Sequence, residues 1–204
     1  MVNLRCGKPV FRLTSNKADA IANVSVRLDF SSDVWHLLSI YPTPSNTDHN
    51  SFVEWNDIEV YPNGRLCFRK QENPNHFTDR LYPSIGDEYE HQMLFWEALT
   101  HGDQSSFHLH NSLCVPRLDF IRVLNYLLMR MSFSSEDRDD MITYIIPQLD
   151  EADPNSERTN IRFRFFPEEE YAKVAPLRIR PAPTRTVPAL LLYGFGDDDE
   201  QIFI

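Results

Sequence analysis

The chain has 204 residues, a formal net charge of −10, 42% hydrophobic and 25% charged residues. These are the proportions of a globular protein that can bury a core, in one large domain or two small ones. The acidic balance argues against a nucleic-acid or anionic-membrane surface, because phosphate binding needs clustered Lys and Arg, so no nucleic-acid partner is expected.

Fourteen prolines against six glycines point to many strand ends and stiff connections. Cys6, Cys67 and Cys114 are widely spaced and odd in number. That fits a reduced compartment better than a disulfide framework. Residues 1–8 lack the apolar stretch of a signal peptide. The longest apolar run, near 120–131, is interrupted by Arg122 and Asn125, so no membrane span is expected. A cytoplasmic protein is the expectation. A secreted one is the alternative if a leader has been removed.

In chain order, 9–13 reads as a short strand. Residues 22–30 alternate cleanly, with Val24, Val26, Leu28 and Phe30 on one face. Trp35–Tyr41 is an apolar run stopped by Pro42 and Pro44, and 43–51 reads as a loop. Asp57–Tyr61 and Arg65–Arg69 flank Pro62-Asn63-Gly64, which predicts a β-hairpin with Asn-Gly supplying the positive φ. The polar stretch 70–90 reads as a long loop. Met93–Leu99 is the most apolar segment of the first half, and the rest is expected to organise around it. As a strand it would show Leu94, Trp96 and Ala98 on one face, and Met93, Phe95, Glu97 and Leu99 on the other.

Residues 107–110 read as one more short strand. Pro116 opens a helix in which Leu118, Ile121, Leu124, Leu128 and Met131 recur at helical spacing. Ser134 with Glu136 and Asp137 starts a second helix, expected to be short because 143–146 is rich in β-branched residues and Pro147 follows. After a polar loop, Asn160–Phe165 alternates with Ile161, Phe163 and Phe165 inward. Residues 168–173 form a turn or two of helix. Leu177–Arg180 is a strand closed by Pro181 and Pro183, and 187–195 is a last strand. The expected fold is α+β, mainly an antiparallel sheet or sandwich with one or two packed helices. One β-rich domain over 1–196 would carry a helical insertion at about 116–142. The acidic tail 197–204 ends in Ile202-Phe203-Ile204, which either docks as an extra strand or stays disordered.

Several segments together resemble an uncharacterised group of proteins. Its members open with Cys-x-Lys-Pro-Val-Ile-Tyr-Leu-Tyr-Pro and a Val-x-Val strand, here Lys8 to Leu13 and Val24 to Leu28. They continue with a Pro-Asp-Gly hairpin, here Pro62-Asn63-Gly64, and Tyr-Leu-Phe-Trp-Glu-Gly, here Met93 to Ala98. Tyr-Trp-Leu-Pro follows, here Tyr144 to Pro147, and then Leu-x-Ile-x-Pro-x-Pro-x-Thr, here Leu177 to Thr184. Ala98 stands in place of the glycine and Ile145 in place of the tryptophan. The resemblance implies one domain of common fold and carries over no catalytic residue. Members are often exported, which favours the secreted alternative.

Glu97 among apolar neighbours is the carboxylate that most needs explaining, since a buried carboxylate must be paired, hydrogen-bonded or protonated. It either locks the strand through backbone donors or an arginine, or acts as a general acid or base with a raised pKa. The structural role is preferred, because a lone glutamate has no partner in sequence. His91, His101, His108 and His110 lie close by. His101, His108 and His110 with Glu97 or Asp103 would suit a metal, although His-x-His alone also fits a solvent-facing strand edge. Cys67 and Cys114 read as small hydrophobes, and no nucleotide-binding or nucleophile-elbow motif occurs, so no cofactor is expected.

Arg162, Arg164, Arg178 and Arg180 alternate with apolar residues. If their strands pair, the four make one basic stripe, which is either a solvated face or a site for an acidic partner such as the tail at Asp197–Glu200. Trp35, Trp55, Tyr82 and Tyr89 either stack on a ligand or belong to the core. The expected function is a non-catalytic binding or structural domain engaging a protein or carbohydrate partner. The alternative is a hydrolase using Glu97 with the histidines.

Overall fold

The computed structural model describes residues 5–6, 10–32, 34–48, 51–68, 89–100, 109, 111–187, 189–196 and 202–203. Alternation builds its largest sheet. Val24, Val26 and Leu28 of β3 (Ile21–Asp29) and Val53, Trp55, Ile58 and Val60 of β6 (Phe52–Val60) are buried, while the residues between them are not. β3 pairs antiparallel with β6 and, on its other edge, with β12 (Leu177–Arg180). The far edge of β6 is shared by β5 (Asn46–Asp48) and β7 (Leu66–Phe68), and β8 (Tyr89–His91) pairs with β7. Asn23 and Asp57, both with φ 57°, sit at the two register shifts between β3 and β6. Short polar side chains tolerate the left-handed conformation that such bulges need.

The hairpin at Pro62-Asn63-Gly64 forms as read. The left-handed residue is Gly64, with φ 80°. Its N–H donates to the Tyr61 carbonyl at 3.0 Å, and the Arg65 N–H donates to Asn63 Oδ1 at 3.1 Å. The segment 43–51, read as a loop, contains the short strand β5.

β9 (Leu94–Thr100) is the centre of a second sheet. β4 (Trp35–Tyr41) pairs along one edge, and β1 (Arg5–Cys6) and β2 (Val10–Phe11) share the other. Leu94, Trp96 and Ala98 are each 0% exposed and point into one core with the buried face of β3 and β6, so the two sheets form a sandwich. Trp35 meets Trp96 edge to face, with centroids 5.7 Å apart, a contact worth about 0.5–1.5 kcal/mol beyond its buried area.

A third sheet runs in the order β10 (Leu113–Pro116), β11 (Asn160–Phe165), β13 (Leu191–Phe195), β14 (Ile202–Phe203). The tail therefore contributes a strand: Ile202 and Phe203 pair with Gly194 and Tyr193. The acidic residues 197–200 lie outside the described residues. Helices α1 (Arg117–Arg130) and α2 (Ser135–Ala152) bury Phe120, Leu124, Leu128, Ile145 and Leu149 against Ile161, Phe163, Leu191, Tyr193 and Phe195. Leu192, on the opposite face of β13, joins the sandwich core, as do Phe166 and Ala175 at either end of α3 (Glu168–Val174). The architecture is α+β, with mostly antiparallel sheets and, among the described residues, three helices.

Two expectations need correction. α2 is not short: it runs 18 residues with Pro147 inside it. It starts at Ser134 as read, and the structure adds a capping box between Ser134 and Asp137. Beyond Pro147, Leu149 is buried in the helix–sheet core, and Arg117 holds Asp150 at 3.0 Å and also Asp153. Those contacts outweigh the helix hydrogen bond that proline removes. The last long strand begins at Leu191 rather than at 187. Of the short strand read at 107–110, only Leu109 is described, and it is buried in the sandwich core.

Arg12, one residue past β2, links the sandwich to the helices. Its guanidinium lies 2.6 Å from Asp137, 3.2 Å from Glu136 and against Asp140, all in the first turns of α2. Among the described residues no helix is long and apolar enough to cross a membrane.

Candidate functional site

The flank of β4 combines an open strand edge with exposed apolar side chains and a groove. Its inner edge pairs with β9; no strand among the described residues pairs with its outer edge. An unpaired edge presents a row of backbone donors and acceptors. Leu38 is 44% exposed and Tyr41 is 52% exposed. A register shift between Leu37 and Ser39 bulges the strand at Leu38. Beside it lies a shallow groove of about 330 Å³ lined by Leu37, Leu38, Ile40, Thr43, Pro44 and Thr47. The prolines that end β4 and the turn into β5 fold this groove into place. Pro42 is pinned there by the buried Trp55 indole, which donates to its carbonyl at 2.9 Å.

Tyr41 also closes the end of the flank. Its hydroxyl lies 3.0 Å from His91 Nδ1, and the rings meet at right angles with centroids 5.2 Å apart. Phe68 stands on the imidazole's other contact, at 5.4 Å. Burial lowers the His91 pKa from its ordinary value, because the charged imidazolium loses hydration there. Side chains from both sheets thus meet at this end of β4.

Glu97 is half-buried in β9, with Ser39 opposite it across the ladder. It shares its face with half-buried Phe95, as the alternation implied, and the fully buried face is that of Trp96. His101, Asp103, His108 and His110 lie outside the described residues. Among the described residues no group of three His, Cys, Asp or Glu is placed to hold a metal ion.

The strands carrying the four arginines do not pair with each other. β11 takes β10 and β13 as neighbours, while β12 lies on β3, where Leu177 and Ile179 stand opposite Leu28 and Val26. Arg164 is 11% exposed, paired with Glu170 at 3.2 Å and stacked on Phe166. Arg162 is half-buried between Cys114 and Gly194 on the neighbouring strands. Arg178 and Arg180 face solvent. The single stripe is therefore split between two sheets.

Cys67 is buried and Cys114 is exposed. Trp35 and Trp55 are core residues; Tyr82 and the side chain of Tyr89 lie outside the described residues. Sequence reasoning missed Leu38 and Tyr41. The available signal was a run of apolar residues without clean alternation, closed by two prolines, which suits an edge strand.

No protein-family model, curated protein or solved structure matches this chain. The site must therefore be read from its own chemistry.

Proposed function

We propose that the chain is a non-catalytic binding module that takes an extended segment of a partner protein as an added strand on β4. The observation that carries this reading is the unpaired outer edge of β4, flanked by the exposed Leu38 and Tyr41 and the apolar groove. In strand addition, main-chain hydrogen bonds supply affinity and pockets for alternate side chains supply specificity. The groove suits one or two apolar side chains of such a segment. A peptide fits better than a carbohydrate, because among the described residues the only side-chain hydroxyls lining the groove are those of Thr43 and Thr47. The bulge at Leu38 limits the regular ladder and works against open-ended stacking of identical chains.

Panning a library of short displayed peptides tests the reading. Selected peptides are expected to carry alternating apolar residues and to lose binding when Leu38→Lys places a charge on the edge. Melting should stay nearly unchanged, since Leu38 lies outside the core and is 44% exposed. Binders that ignore both Leu38→Lys and Tyr41→Ser, or a library that yields none, would refute it.

A further inference from the structure

We propose that the end of β12 and the strap after it, residues 178–187, are a second docking surface, and that its partner is an acidic peptide held by Arg180 and Arg185. It is separate from the β4 edge, since β12 ends the largest sheet whereas β4 belongs to the sheet of β9.

Residues 172–196 contain Lys173, Arg178, Arg180 and Arg185 and no Asp or Glu, in a chain of net charge −10. Every residue from 181 to 187 is exposed. Among the described residues, many arginines stand against a carboxylate, such as Arg12 on Asp137, Arg27 on Asp29 and Arg117 on Asp153. Arg180 and Arg185 have no ion-pair or hydrogen-bond partner for their side chains among the described residues. Arg130 also lacks a carboxylate, but it sits in the last turn of α1, where the helix dipole accommodates a cation. The strap offers no such compensation. Arg178 is 63% exposed and partly engaged by Asp29 at 3.2 Å, so it contributes less.

Pro181 and Pro183 stiffen the backbone between the two arginines and restrict Arg180 and Ala182 before them. Little conformational freedom is left to lose when a partner binds. Their missing N–H groups make strand addition along 181–183 poor, so recognition falls to the side chains. A guanidinium grips a carboxylate through two parallel hydrogen bonds. An acidic peptide with spaced carboxylates is the ligand that this arrangement complements, and the acidic remainder of the surface repels it elsewhere.

The test is fluorescence anisotropy of a labelled poly-glutamate peptide titrated with the full chain. Binding is expected to weaken steeply with added salt and to fall about tenfold or more in the Arg180→Gln/Arg185→Gln double variant. The melting temperature should not move, and Arg130→Gln should bind as the parent does. An affinity unchanged in the double variant, or no binding by the parent chain, overturns the proposal. Equally tight binding of inorganic polyphosphate would make the strap a general anion surface and overturn the peptide assignment. Salt-sensitive self-association lost in the double variant would seat a second copy there instead, and would overturn it too.

Discussion

Replacing Arg12 with Met keeps most of the aliphatic stem and removes the charge that joins the sandwich to α2. The Arg12 side chain is 19% exposed, and its partners Asp137, Asp140 and Glu136 are 24%, 38% and 71% exposed. Exposed ion pairs contribute about 0–1 kcal/mol, and removing one partner of a fully buried pair costs about 3–5 kcal/mol. Arg12 lies between these limits, and its loss leaves three carboxylates crowded in the first turns of one helix. A destabilisation of about 2 kcal/mol follows. For a chain of this size that lowers the melting temperature by about 4–8 °C. Urea unfolding should show a lower midpoint with an unchanged slope. A double-mutant cycle with Asp137→Asn should return a coupling of about 1 kcal/mol, since Asn keeps the capping acceptor while losing the charge. A loss below about 0.5 kcal/mol would show that Arg12 behaves as an ordinary surface residue, and the linking role would be wrong.

The two sandwich tryptophans should respond differently to shortening. Trp96 Nε1 is buried and has no hydrogen-bond partner among the described residues, so Trp96→Phe trades a cavity against relief of an orphaned donor and should change stability by no more than about 1 kcal/mol. Trp55→Phe also loses the bond to Pro42 and should cost about 2–4 kcal/mol; equal losses by urea unfolding would contradict this account. The His91 imidazole should titrate below 6.5 in a chemical-shift titration, because burial disfavours its charged form. Its folded pKa is lowered, so its contribution to stability is full above 6.5 and is lost as pH falls from there through the lowered folded value. A midpoint at or above 6.5 would be inconsistent with the enclosure by Tyr41 and Phe68.

The parts of the fold that local chemistry dictates were legible in the sequence. Strict alternation marked β3 and β11, Asn63-Gly64 marked the hairpin, and Ser134 with Asp137 marked the start of α2. The centrality of 93–99 was also readable, since Leu94, Trp96 and Ala98 make one continuous apolar face. What was not legible depends on partners far away in sequence. Pro147 and the β-branched residues before it argue for a short helix, and only the packing of Leu149 and the hold of Arg117 on Asp150 and Asp153 carry it further. Nothing local tells β12 to choose β3 over β11, so the arginine stripe was assembled on the wrong neighbours. The candidate site was the least legible element, because an edge is defined by the strand that does not pair with it. The broken alternation of β4 and the prolines after it suit an edge strand, but which edge stays open is fixed only when its neighbours are placed.

Amide hydrogen exchange across Trp35–Tyr41 tests the β4 reading most directly. In the free protein the amides that bond to β9 should exchange slowly and the remaining β4 amides quickly. A selected peptide should slow the fast set while leaving β12 and α1 unchanged. Slow exchange at every β4 amide before any peptide is added would show that the edge is already covered, and the binding role proposed for it would fall.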